Sequence, residues 1–165
     1  MVEILRIVLA DGEIQRQGWA SVWRRADGGP GRSNAFGAAV LACGGADAVV
    51  SALRQWQVGP ASVLEQALHA TWILSRGTEP PRTVAAAGGI EAVVAVMRAH
   101  GGSVPVQQQG CIVLKNLAGG CCAEENGMAV AVVAAGGIAA VVAAMRAHGM
   151  SVALLEKHRG AVQYV

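Results

Sequence analysis

Bulky aromatic side chains are scarce in this 165-residue chain, which holds one Phe, one Tyr and four Trp. Its apolar content is nevertheless 53%, mostly Ala and Val. Side chains that small fill little space, so a core built from them requires helices that approach closely. Charge is scarce too. Asp, Glu, Lys and Arg together make up 15%, Lys is nearly absent, and the formal net charge is +2. That balance gives no basic stripe of the kind that phosphate neutralisation needs, so a nucleic-acid partner is not expected. Low charge with high apolar content also excludes a disordered chain.

The four cysteines, at 43, 111, 121 and 122, form no C-x-x-C and match no zinc spacing, so no metal site is expected. Cys43 and Cys111 fall in apolar helical stretches, where a thiol acts as a small hydrophobe. Cys121 and Cys122 share a Gly-rich loop, where a redox role is the alternative to a reduced, inert pair. No P-loop, dinucleotide fingerprint, H-E-x-x-H or nucleophile elbow is present, and Glu124 and Glu125 read as solvated loop carboxylates. Neither catalytic residues nor a cofactor are expected. The N-terminal run, with Glu3 and Arg6 inside it, lacks the basic start and small-residue cleavage site of a signal peptide. An intracellular protein follows, cytoplasmic rather than nuclear and not secreted.

Glycine, by contrast, is abundant at 22 residues, and its placement exposes a repeat. Residues 88–100 read GGIEAVVAVMRAH and residues 136–148 read GGIAAVVAAMRAH, differing at two of thirteen positions. Residues 44–56, GGADAVVSALRQW, are a weaker copy, so the period is 44 and then 48 residues. Spacings of roughly 40–47 mark stacked two- or three-helix units. Each copy carries an apolar stripe at i, i+3, i+4, i+7: Ala46, Val49, Val50 and Leu53, then Ile90, Val93, Val94 and Met97, then Ile138, Val141, Val142 and Met145. Such a stripe predicts one buried helix face in every copy. Arg98 with His100, and Arg146 with His148, fall in the last turn, where they are expected to cap their own helix or face water.

Upstream of each Gly pair lies a short Ala/Val segment, at Asn34–Cys43, Arg82–Ala87 and Asn126–Ala135, which the pair is expected to end in a left-handed turn. Downstream lies a third helix, at 62–75 and 106–118, with Pro60 and Pro105 as starters. Residues 13–26 and 151–165 fit the same slot at either end. Gly18, Ala67 and Gly110 share one register of this helix, small enough to let a neighbour approach.

A short helix, a Gly-Gly turn, an apolar second helix and a third of the form VQQQGCIVLKNLA together resemble the armadillo repeat. The likeness is closest over Gly88–Ala118, fair over 34–75 and 126–165, and weak before Ala26. It implies an all-α, right-handed α-solenoid of three to four three-helix repeats: a partial repeat at 1–26, then repeats at 33–75, 80–118 and 124–165. It further implies that the third helices line a concave face that binds an extended peptide or partner protein. Two positions four residues apart, often Trp and Asn in the family, point into that groove. By register the pairs are Ala20 with Arg24, His69 with Ile73, Ile112 with Asn116, and Gly160 with Tyr164. Only Asn116 matches the family residue, so the groove candidates are Arg24, His69, Ile112, Lys115, Asn116 and Tyr164, suited to a neutral or mildly acidic segment.

Trp19, Trp23, Trp56 and Trp72 read more simply as packing residues. The loop from Gly119 to Glu125 is longer than the family norm. Neither end supplies a polar cap, which solenoids need. Self-association through the ends, or a fragment of a longer array without independent function, is therefore the alternative expectation. Met128–Met145 holds eighteen residues without a charge, close to the minimum of about 18 for a membrane span. Its Ala and Gly content and the break at Gly136–Gly137 argue against a span, leaving a membrane-associated protein as the weaker reading.

Overall fold

The computed structural model describes residues 17–18, 21, 37–76, 80–118 and 127–148. The chain is all-helical, and no strand occurs among the described residues. In order the helices are residues 37–42 (α1), Gly45–Gln55 (α2), Ala61–Leu74 (α3), Pro80–Ala86 (α4), Gly89–Ala99 (α5), Val104–Ala118 (α6), Gly127–Ala134 (α7) and Gly137–His148 (α8). In the N-terminal stretch, 17, 18 and 21 are helical, with Ser21 Oγ donating to the Gln17 carbonyl.

The Gly-Gly pairs join α1 to α2, α4 to α5 and α7 to α8, and their two glycines do different work. The first, at 44, 88 and 136, sits at φ +78°, +83° and +79°. That left-handed region costs a residue with a Cβ about 1–2 kcal/mol. Its N–H donates to the carbonyl three residues back, at Leu41, Ala85 and Val133, and its own carbonyl accepts from Ala48, Ala92 and Ala140. One residue thus closes the first helix and opens the second. The second glycine supplies space. A Cβ on Gly89 would lie 2.6 Å from Val84 Cγ1 and 2.7 Å from the Val84 carbonyl oxygen, and one on Gly137 would meet Val132 in the same way.

The stripes predicted for the first two copies face the core. Ala46, Val49, Val50 and Leu53 of α2 are buried, as are Ile90, Val93, Val94 and Met97 of α5. Helices that share a register in successive copies lie against one another: α2 packs on α5, α5 on α8, and α3 on α6. The small-residue register works as expected in α6, where a Cβ on Gly110 would strike Met97, and Ala67 is buried at the matching place in α3.

The third copy departs from its prediction. Ile138, Val142 and Met145 are 57%, 38% and 44% exposed, and α8 instead buries Gly137, Ala140 and Ala144. In the second copy α6 covers the stripe. The stretch in that register of the third copy, 151–165, lies outside the described residues, as does the loop from Gly119 to Glu125.

The last-turn cations also differ from their prediction. Arg54 Nη2 of α2 donates to the Gly88 carbonyl, and Arg98 Nη2 of α5 to the Ala135 carbonyl, each over a long 3.5 Å. Arg98 therefore caps the short first helix of the following copy, where the C-terminal carbonyls favour positive charge, while Arg54 reaches the carbonyl of the glycine turn itself. His100 Nε2 reaches back 2.9 Å to the Gln57 carbonyl, and His148 Nε2 reaches 2.7 Å to that of Gly101. A ring nitrogen facing a carbonyl must carry the hydrogen, which fixes the tautomer in both. Arg and His together staple successive copies.

A cleft of about 300 Å³ opens where α8 meets α5 and α6, lined by Met97, Gly101, Gln107, Ala140, Ala144 and Ala147. At the preceding junction, the registers of Ala144 and Gly101 hold the larger Val96, which is buried, and Gln57, which is half-buried. Ala144→Val restores the larger side chain. Burying its added carbons at about 0.8 kcal/mol each, less about 0.5 kcal/mol of helix propensity, predicts a net gain of about 1 kcal/mol. A thermal melt followed by circular dichroism should show a higher Tm, and a lower one would mean that the cleft cannot accept the branch.

No single helix among the described residues is long and apolar enough to cross a membrane. Gly127–Ala134 and Gly137–His148 reach that length only together, across a 61° bend.

Candidate partner-binding face

α3 and α6 start for local reasons and lie side by side. Pro60 is extended (φ −60°, ψ 133°) and directs the chain into α3. Pro105 sits in the first turn of α6, where a missing N–H costs nothing. Val63, Leu64, Ala67, Leu68 and Leu74 turn to the core on α3, as do Val106, Val113, Leu114 and Leu117 on α6. Thr71 of α3 and Gln107 and Gln109 of α6 are buried as well, whereas His69, Trp72 and Asn116 are half-buried and Lys115 is exposed.

His69 and Trp72, three apart on α3, meet edge to face with ring centroids 5.2 Å apart and an interplanar angle of 87°. The Arg76 guanidinium lies 5.1 Å over the Trp72 ring, a contact worth about 0.5–1 kcal/mol at a partly exposed site. Ser75 Oγ donates to the Trp72 carbonyl at 2.8 Å and accepts Asn116 Nδ2 of α6 at 3.4 Å. The hydroxyl thereby ties the two helices together beside Trp72. Ile112, one turn before Asn116, is half-buried, and Lys115 is exposed. His69, Trp72, Arg76, Ser75 and Asn116 are thus linked by contacts, with Ser75 itself buried.

Arg24 and Tyr164, with their register partners Ala20 and Gly160, lie outside the described residues. The pairing of His69 with Ile73 is corrected: Ile73 is 4% exposed and belongs to the core, and Trp72 is the surface partner of His69. Trp56 and Trp72 both pack partly against the core, in line with the packing reading. Trp72 is also half-buried, beside His69. Trp72 and Arg76 were readable as an i, i+4 pair, whereas nothing in the sequence marked Ser75.

Arg76 and His69 flank Trp72, Lys115 is exposed in the last turn of α6, and Glu65 is the acidic residue of α3 and α6. Burial pushes the Cys111 thiol above its ordinary range, so it stays protonated near neutral pH and is a poor nucleophile. Cys43 is exposed in the turn after α1, not within the apolar face expected of it, because the left-handed Gly44 ends the helix there. Among the described residues no group of three or more His, Cys, Asp or Glu side chains is placed to hold a metal ion. The patch offers hydrogen-bond donors, a half-buried ring and positive charge. Known family models, curated proteins and solved structures offer no match to this chain.

Proposed function

We propose that the chain is a right-handed α-solenoid of armadillo-like repeats that binds an extended segment of another protein across α3 and α6. The repeated helix-on-helix contacts and the Arg and His staples support the solenoid reading. One observation carries the binding reading: Asn116, held beside Trp72 by Ser75. An amide side chain has two donors and two acceptor lone pairs. The Ser75 contact uses one donor, so Asn116 can still receive and donate a bond to a peptide backbone running across the helices.

Trp72 and Ile112 supply apolar contact on either side of the amide, and Lys115 and Arg76 favour a neutral to mildly acidic segment. Asn116→Ala removes the bidentate group from a half-buried position. It is expected to weaken binding of an extended peptide, selected on the purified chain from a displayed library, by about tenfold, or about 1.4 kcal/mol. Titration by fluorescence anisotropy measures this, with the helical circular dichroism spectrum unchanged. Equal affinity of wild type and Asn116→Ala for every selected peptide would remove the proposed groove.

A further inference from the structure

The cleft between α5, α6 and α8 combines apolar walls with one open hydrogen-bond acceptor. Its walls include Met97, Ala140 and Ala144, all buried, and its rim Gly101, Ala143 and Ala147, all exposed. Gln107 also lines it and is only 3% exposed. Both hydrogens of Gln107 Nε2 are used, one on the Met97 carbonyl at 2.7 Å and one on that of His100 at 2.9 Å. Two carbonyls facing one amide atom identify it as the nitrogen, which fixes the orientation of the side chain. Oε1 accepts no bond among the described residues, and unlike Trp56 Nε1 it is not sealed from solvent. A nearly buried acceptor without a donor is costly, and a molecule that brings one removes the cost.

This space is separate from the exposed stripe of α8. At 100° per residue, Ala140, Ala144 and Ala147 lie about 180° around the helix from Ile138, Val142 and Met145. They turn toward the preceding copy, as do Ala92 and Val96 in the same register of α5, which are buried. Arg98 borders the cleft as well, but its Nη2 is turned to the Ala135 carbonyl beside Gly136, so the buried walls carry no charge.

We propose that the cleft binds a small, uncharged, flat apolar molecule that carries a single N–H or O–H donor. A cavity of about 150 Å³ admits benzene, so about 300 Å³ has room for a fused two-ring system. The rings lie against the methyls of Ala140 and Ala144 and the thioether of Met97, and the donor meets Gln107 Oε1. Gln107 stands near the start of α6 and Asn116 near its end, so this site is independent of the peptide-binding face.

Indole is the probe. Calorimetric titration of the full chain should give saturable binding at one site, and indene, nearly the same shape without the N–H, should bind about tenfold more weakly. Nuclear magnetic resonance shifts on adding indole should gather at Met97, Ala140 and Ala144. Ala144→Val takes up the room, and Ala147→Leu narrows the exposed rim; each should lower indole affinity by about tenfold. Circular dichroism confirms that both variants are folded. No saturable binding, equal affinity for indole and indene, or shifts gathered around Trp72 with both variants unaffected would each overturn the proposal.

Discussion

Gly89→Ala is expected to cost about 2–4 kcal/mol of stability although it adds a single methyl group. Its Cβ would lie 2.6 Å from Val84 Cγ1 and 2.7 Å from the Val84 carbonyl oxygen. A side chain can change rotamer, but a helix carbonyl cannot leave without breaking the turn that aims α4 at α5. Val84 is itself fully buried, so its rotation would press into the core. Denaturant unfolding should show a clearly lower midpoint for Gly89→Ala. Gly102→Ala provides the comparison, because nothing among the described residues lies within 4 Å of its Cβ and the residue is exposed. Its change should stay within about 0.5 kcal/mol. Equal effects of the two would mean that the second glycine of the pair is not there for space.

Gln107→Leu is expected to cost about 2–3 kcal/mol, through hydrogen bonds and not volume. Gln107 on α6 is buried, and its Nε2 donates to the Met97 carbonyl at 2.7 Å and to the His100 carbonyl at 2.9 Å. The Met97 carbonyl lies in the last turn of α5, beyond the reach of a helical N–H, while the His100 carbonyl also accepts from the Ser103 N–H at 2.9 Å. Leucine keeps the bulk but leaves the Met97 carbonyl without its donor and the His100 carbonyl with one bond fewer. The first copy has Val63 in this register, so the bond has no counterpart there. The damage should accordingly be local: amide exchange should accelerate in the last turn of α5 and the first of α6 before it does in α2 and α3. Uniform acceleration across all helices would contradict this division.

Much of the fold was legible because a repeat states its own rules more than once. The stripe Ile90, Val93, Val94, Met97 and its copies predicted the second helices, the Gly pairs predicted the turns, and Pro60 and Pro105 predicted the starts of α3 and α6 to within two residues. What escaped the reading lies between copies. Arg98 and Ala135 are 37 residues apart, and His148 and Gly101 are 47 apart. Helical periodicity relates a residue only to its own helix, so it assigned these cations to local capping. The signal was nevertheless present, since MRAH occurs at the same place in two copies. A polar group repeated in register marks a contact made once per unit.

The candidate face was legible in part. Asn116 and His69 came from register, and the structure places them in one patch, linked through Ser75 and Trp72. Ile73 failed because two adjacent helix positions differ by about 100° of rotation, so an error of one residue moves a side chain from surface to core. The exposure of Ile138, Val142 and Met145 could not be read from their stripe. The same pattern is buried in α5 and open in α8, and what decides between them is the neighbour.

The most direct test of the binding account is a nuclear magnetic resonance titration of the labelled chain with a library-selected extended peptide. The account predicts that perturbed amides and side-chain amides gather at residues 65–76 and 108–118, with the Asn116 side-chain resonance among the most shifted. Perturbations gathered instead on Ile138, Val142 and Met145, with α3 and α6 unmoved, would contradict it and make the α8 edge the binding surface.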